Sequence, residues 1–197
     1  NWDGTMLYTV TNSGTKIISI SVPGGQVTQL MTLSSSNAIK ESEFGADTAG
    51  CRFVGRYSNS KAIYADVVAG NQGSYADRCS PCISPSGTRC AVNQGGHTTM
   101  KIFRWGTGSS SPSYWKTISS QVGSWDNHNW SNHESYIIDH NGLIMNVDSE
   151  DSWDANLSNK NDYVDLWVNT GTVPSDDEPP TAPGNLAATP IGQSGIL

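Results

Sequence analysis

No stretch of the 197-residue chain approaches the roughly 18 to 20 consecutive apolar residues that a bilayer-crossing helix needs. Nor is there a basic amphipathic segment suited to an anionic membrane surface, so no membrane insertion is expected. Positive charge is scarce: 11 Lys and Arg stand against 18 Asp and Glu, a formal net charge of −7. That sign is wrong for a surface that must neutralise phosphates, so no nucleic acid is expected as a partner. Charge of either sign is thin, at 15% of residues, against about 25% in an ordinary soluble domain. Ser, Thr, Asn and 20 Gly take its place, a composition that suits a soluble, exported, turn-rich β protein. Helical periodicity is missing too, since no run of ten or more residues keeps a 3.6-residue apolar repeat. A Gly-x-Ser-x-Gly elbow, a phosphate-binding Gly-Lys loop and a His-Glu-x-x-His helix are all absent.

Cysteine is sparse but even in number: Cys51, Cys79, Cys82 and Cys90 lie within forty residues. In an oxidising compartment they can form up to two disulfides in any of three pairings, and at least one disulfide is expected. Free buried thiols, or metal and redox chemistry, are the alternatives. Cys79-Ser80-Pro81-Cys82 is a lone Cys-x-x-Cys with no second pair to complete a four-thiolate zinc site, and Ile83 stands where haem attachment needs His. Asn1 is a poor start for a native chain, which points to a mature or trimmed product.

What is present in abundance is repetition. Trp2-Asp3-Gly4-Thr5 leads into Met6-Leu7-Tyr8-Thr9-Val10, and Ile83-Ser84-Pro85-Ser86-Gly87-Thr88 leads into Arg89-Cys90-Ala91-Val92. Ala49 to Val54 and Trp130 to Ile138 repeat the pattern more loosely. With Gly4, Gly50, Gly87 and Glu134 taken as equivalent, the spacings are 46, 37 and 47 residues, the period of a unit of four short strands. An alternating second strand is expected in each unit, over Lys16 to Val22, Lys61 to Val67, Met100 to Trp105 and Tyr163 to Val168. The fold class expected is all-β.

The segment Ile83 to Arg89 resembles the apolar-Ser-Pro-Asp-Gly turn of TolB-type, WD-repeat-like β-propellers, with Ser86 in place of Asp. The resemblance implies a β-propeller of six to eight blades, of which residues 1–172 supply about four. Because the chain opens on the turn of a blade, those blades are read as the C-terminal part of a larger ring that this chain does not close, with another segment covering the edge near Asn1. Residues 173–180 form an acidic, proline-rich linker. Pro180 to Thr189 resembles the first strand of a fibronectin type III module, as found in secreted bacterial carbohydrate-active proteins, so residues 181–197 are read as its truncated start.

In such a propeller, the resemblance implies, the loops holding His97, the Trp125-Asp126-Asn127-His128 stretch and His140 share one face, and His133 lies on the other. His97 and His128 are then expected within about 15 Å of one another, in adjacent blades. They are the candidate catalytic pair, with His140 completing a candidate transition-metal set; some propeller polysaccharide lyases use such a face. Hydrogen-bonded turn residues are the plainer reading. Trp125, Asp126, Asn127, His140 and Trp153 are the candidate ligand-binding residues, since indoles stack on sugar faces while amides and carboxylates bond hydroxyls. Trp115 is a further loop candidate, whereas Trp105, Trp130 and Trp167 are assigned to packing between blades. Asp148, Glu150, Asp151 and Asp154 could hold Ca²⁺ through hard oxygens, although their spacing is not that of an EF-hand and a solvated acidic loop is the simpler reading. Asn129-Trp130-Ser131 and Asn156-Leu157-Ser158 match the glycosylation pattern without further support. The expected function is a secreted or cell-surface propeller portion that binds polysaccharide or another surface component. A lyase and a structural building block are the alternatives.

Overall fold

A computed structural model describes residues 5–11, 13–34, 39–47, 50–57, 61–75, 79–94, 96–106, 108–119, 123–125, 127–157 and 165–169. The linker and fibronectin-like segment at 173–197, Asp126 and Gly4 lie outside the described residues. Among the described residues the secondary structure is all-β, in four antiparallel sheets. Sheet I holds β1 (Met6–Val10), β2 (Lys16–Ser21) and β3 (Val27–Thr32). Sheet II holds β4 (Ile39–Asp47), β5 (Gly50–Tyr57), β6 (Ala62–Asp66) and β7 (Asn71–Ser74). Sheet III holds β8 (Cys79–Ile83), β9 (Arg89–Asn93), β10 (Thr99–Arg104) and β11 (Ser113–Ser119). Sheet IV holds β12 (Asn129–Trp130), β13 (Tyr136–Ile138), β14 (Leu143–Asn146) and β15 (Ser152–Asp154). Every sheet is a meander in which each strand pairs with its neighbour in sequence. The repeat positions Gly50, Gly87 and Glu134 fall at the turn into the second strand of sheets II, III and IV.

The sheets stack in sequence order. Ile17 and Met31 of sheet I pack on Phe53, Ile63 and Ala65 of sheet II. The alternate positions of sheet II, Val54 and Ala62, turn the other way and meet Cys90, Val92 and Trp105 of sheet III. Sheet III repeats the device, presenting Ala91, Met100 and Ile102 to Trp130, Ile137 and Met145 of sheet IV. Successive side chains of a strand point to opposite faces, so a sheet with a neighbour on each side must be apolar at every position. Residues 90–93 of β9 are accordingly buried without interruption. The first strands β4 and β8 lie side by side, and β8 also meets β12, so the sheets converge along these strands.

Two arginines tie the turns together. Arg52, two residues past Gly50, donates through Nη1 to the carbonyls of Gly87 (3.0 Å) and Trp105 (2.7 Å). Its Nη2 reaches the Gly106 carbonyl at 3.0 Å, and its Nε lies 3.5 Å from Asp66. Arg89 stands two residues past Gly87, and its Nη1 donates to the carbonyl of Glu134 (3.3 Å) and to both Asp148 oxygens (3.0 and 3.1 Å). The same repeat position thus reaches from one sheet to the equivalent turn of the next. Gly45 is where β4 crosses this turn, because a Cβ there would run into the Ser84 carbonyl oxygen and lie 2.6 Å from the Gly87 Cα.

Three expectations are corrected. The second strand expected over Tyr163 to Val168 is placed otherwise: Leu143–Asn146 takes that position in sheet IV, and the described part of the expected segment, from residue 165, is irregular. Trp167, assigned to packing, is 77% exposed. The expected disulfide is absent among Cys51, Cys82 and Cys90, which are free and buried; the Cys79 side chain lies outside the described residues. Strand alternation is the reason. Cys82 and Cys90 sit on neighbouring strands but on opposite faces, in the III–IV and II–III cores, and Cys51 belongs to the I–II core.

Burial pushes the Cys51 and Cys90 thiols up to about 12 and raises Cys82 well above the ordinary thiol range. Since the thiolate is the reactive form, iodoacetamide should leave these three cysteines unlabelled in the native protein. It should label all three in denaturant without reductant. Peptide mapping in which any of them needs reductant first would contradict this arrangement.

Candidate functional site

A cavity lined by both polar and apolar side chains lies where the first strands converge. β4 reads Ile-Lys-Glu-Ser-Glu-Phe-Gly-Ala-Asp, a sequence too polar to announce an inner strand. Ser42, Glu43 and Phe44 from it, Ile83 and Pro85 from the end of β8, Asn129 to Asn132 around β12, and Asp165 to Trp167 surround a cavity of about 520 Å³. A second cavity of about 320 Å³ shares Ser42, Glu43 and Asn129 with the first and continues past Lys40, Ser80, Asn127 and His128.

Glu43 stands at the junction. Its Oε2 accepts the Ile83 N–H of β8 at 2.8 Å, and the Trp130 N–H of β12 also bonds this carboxyl. One side chain of sheet II therefore serves backbone donors of sheets III and IV. Its pKa is pushed up to about 8, first by burial, with those two N–H bonds acting against the rise and Asp165 adding to it. Part of the residue nonetheless faces both cavities.

The cavity mouth is built by residues 165–169 lying against β12. Asn132 holds that segment as a strand neighbour would, its Nδ2 donating to the Val168 carbonyl (2.9 Å) and its Oδ1 accepting the Val168 N–H (2.6 Å). Asn129 Nδ2 donates to Asp165 Oδ1 at 3.2 Å. Trp167, between these two anchors, lines the cavity and leaves most of its indole open to solvent.

The sequence candidates are distributed differently. Trp125, expected at an exposed rim, is fully buried in the III–IV core. Its N–H donates to the His97 carbonyl at 2.6 Å, and Asn93 Nδ2 bonds its carbonyl at 3.1 Å, so the 123–128 link and the His97 loop are in contact. His97 and Asn127 have φ of +56° and +42°, left-handed turn positions. His128, expected to face solvent, is 2% exposed and borders the second cavity. His140 is half-buried in the turn that Asp139 organises by accepting the N–H groups of Asn141 (2.9 Å) and Leu143 (2.8 Å). His133 Nδ1 accepts the Ser135 N–H at 3.1 Å.

Trp153 is 40% exposed on β15, where its indole meets Tyr136 edge-on, and Trp115 lies in β11 beneath the Arg104 guanidinium at 3.7 Å. Of the calcium candidates, Asp148 pairs with Arg89 and Ser135, Glu150 with Lys116, Asp151 with the Ser149 hydroxyl, and Asp154 with the Asn156 N–H. The Ser135 bond leads the causes that hold the Asp148 carboxyl below the usual range. Among the described residues no three His, Cys, Asp or Glu are grouped as a metal ion would require.

Glu43, Asn132, Asp165 and an exposed Trp167 are what sequence reading missed.

No family model and no curated protein matches the chain. Among solved structures, the complex of KlAtg21 with the coiled-coil of AgAtg16 is similar at a TM-score of 0.49 and 9% identity, over 72% of this chain and 49% of that one. The N-terminal domain of Nup159 is similar at a TM-score of 0.41 and 10% identity, over 59% of this chain and 29% of that one. The chain thus spans about half the length of the first and under a third of the second. Likenesses of this size carry no functional argument.

Proposed function

We propose that the four sheets are consecutive blades of a propeller-type ring completed by further polypeptide, and that the chain is a non-catalytic polysaccharide-binding part of a modular protein acting outside the cell. The ring reading is supported by the meander order within each sheet and by the convergence of β4, β8 and β12. The low charge and the resemblance of Pro180 to Thr189 to the first strand of a fibronectin type III module support an extracellular, modular setting. The binding reading rests on one observation: Trp167 is 77% exposed at the mouth of a cavity whose other described walls combine Ser, Asn, Asp and Glu side chains with Phe44, Ile83, Pro85, Trp130 and Leu166. An indole face covers the apolar C–H face of a pyranose, and amides, hydroxyls and carboxylates bond its hydroxyl groups.

The test is a titration of intrinsic fluorescence with a panel of neutral oligosaccharide hexamers. Trp167→Ala should weaken binding at least tenfold, roughly 1.4 kcal/mol, and should leave stability within about 1 kcal/mol because the side chain is solvent-facing. Trp153→Ala, on β15, should change affinity little. Equal binding by wild type and Trp167→Ala would defeat the assignment.

A further inference from the structure

The Trp167 cavity also carries a bias of charge, and this inference rests on the binding reading above. Among the described residues that line it, Glu43 and Asp165 are the only ionisable side chains, and none is Lys, Arg or His. Asp165 is exposed, two residues from the indole. Lys40 borders the second cavity and not the first. The whole chain, at −7, adds attraction of the same sign.

We propose that this site selects saccharides bearing a free, protonated amine, such as glucosamine oligomers, over neutral sugars, and that it rejects uronates. The cavity and the indole make the site, and the charge chooses among its ligands. An ammonium group next to a bound pyranose would lie between the Asp165 carboxylate and the face of Trp167, gaining both a charge-assisted hydrogen bond and a cation–π contact. A uronate carboxylate in the same place would face the Asp165 carboxylate with no cationic side chain among the described lining residues to offset it, a repulsive element of the kind that sets specificity. Asp165 is kept in position by Asn129, whose amide donor would bond an Asn side-chain oxygen equally well, so the charge can be removed without removing that bond.

The experiment compares glucosamine hexamer, its N-acetylated counterpart and galacturonate hexamer by calorimetry at pH 6 and low salt. The glucosamine hexamer should bind at least tenfold tighter than the N-acetylated one, with the advantage shrinking as salt rises, and the galacturonate hexamer should bind most weakly. Asp165→Asn should bring the ratio between the first two close to one. Asp151→Asn, at a carboxylate that does not line the cavity, should leave that ratio intact. Binding of the N-acetylated hexamer without any preference for the amine would overturn the selection and spare the saccharide reading. Tightest binding of the galacturonate hexamer, or an unchanged ratio in Asp165→Asn, would also overturn it. Failure of every hexamer to bind would overturn both.

Discussion

Replacing Arg52 with alanine is expected to lower the unfolding free energy by about 3 kcal/mol, a fall in melting temperature of roughly 6 to 12 °C for a protein of this size. The side chain is nearly enclosed and bonds three backbone carbonyls of sheet III, so its loss strands the Gly87, Trp105 and Gly106 oxygens and removes the ion pair of Asp66, which keeps the Val68 and Ala69 N–H groups. Arg52→Lys should recover little, because a single ammonium cannot reproduce a planar fork that reaches three acceptors. Arg89→Ala makes the informative comparison. It occupies the equivalent repeat position, but its main partner, Asp148, has a side chain 46% exposed, so the cost should stay near 1 kcal/mol. Thermal unfolding of the three variants checks the ranking, and equal losses at Arg52 and Arg89 would contradict it.

The second large effect is a pH dependence that runs against the usual behaviour of a carboxylate. Glu43 has a folded pKa of about 8 against an ordinary value of 4.5. The folded state therefore holds this proton more tightly than the unfolded chain does. The stabilisation is fully present below pH 4.5 and is lost as the pH rises through 8. The total is on the order of 2–4 kcal/mol once relaxation around the charge is allowed for. Asp148 works in the opposite sense, stabilising above its ordinary range and losing effect as the pH falls; it acts at the acid end, outside the Glu43 window. Glu43→Gln keeps an acceptor for the Ile83 and Trp130 N–H groups and removes the titration. Its stability should be nearly flat from pH 5 to 8, and it should exceed that of wild type at pH 9. Denaturant melts giving parallel curves for the two proteins across that range would exclude this role.

How far the sequence foretold these features depends on whether a residue's role is local. The 43-residue rhythm of turn and strand was readable because Gly50, Gly87 and Glu134 mark turns whose chemistry is carried within a few positions. The strand at β9 was readable because the Ile83 to Thr88 turn leads straight into Arg89-Cys90-Ala91-Val92. Roles that arise between sheets were not. Trp125 sits in polar sequence and reads as a rim residue, yet the chain folds back so that it fills the III–IV core. Trp167 ends an alternating pattern and reads as packing, yet Asn132 fastens its neighbour Val168 by the backbone and leaves the indole outside. Glu43 gives no local sign of its function, because its partners are backbone donors about 40 and 87 residues away in sequence. The cysteines show the reverse error: even count and close spacing suggested a bridge, and period-two alternation placed Cys51, Cys82 and Cys90 in three different cores.

The most direct test of the account is a map of where a saccharide binds. Two-dimensional ¹H–¹⁵N spectra of the labelled protein, recorded while glucosamine hexamer is added, resolve each tryptophan indole and each asparagine side-chain amide. The Trp167 indole and the Asn129 and Asn132 amides should shift in a saturable manner, while the buried Trp105 and Trp125 indoles hold their positions. Saturable shifts confined to the Trp153 indole, Asn127 and His140, with the Trp167 indole unmoved, would contradict the placement of the site at the cavity between β4 and β12.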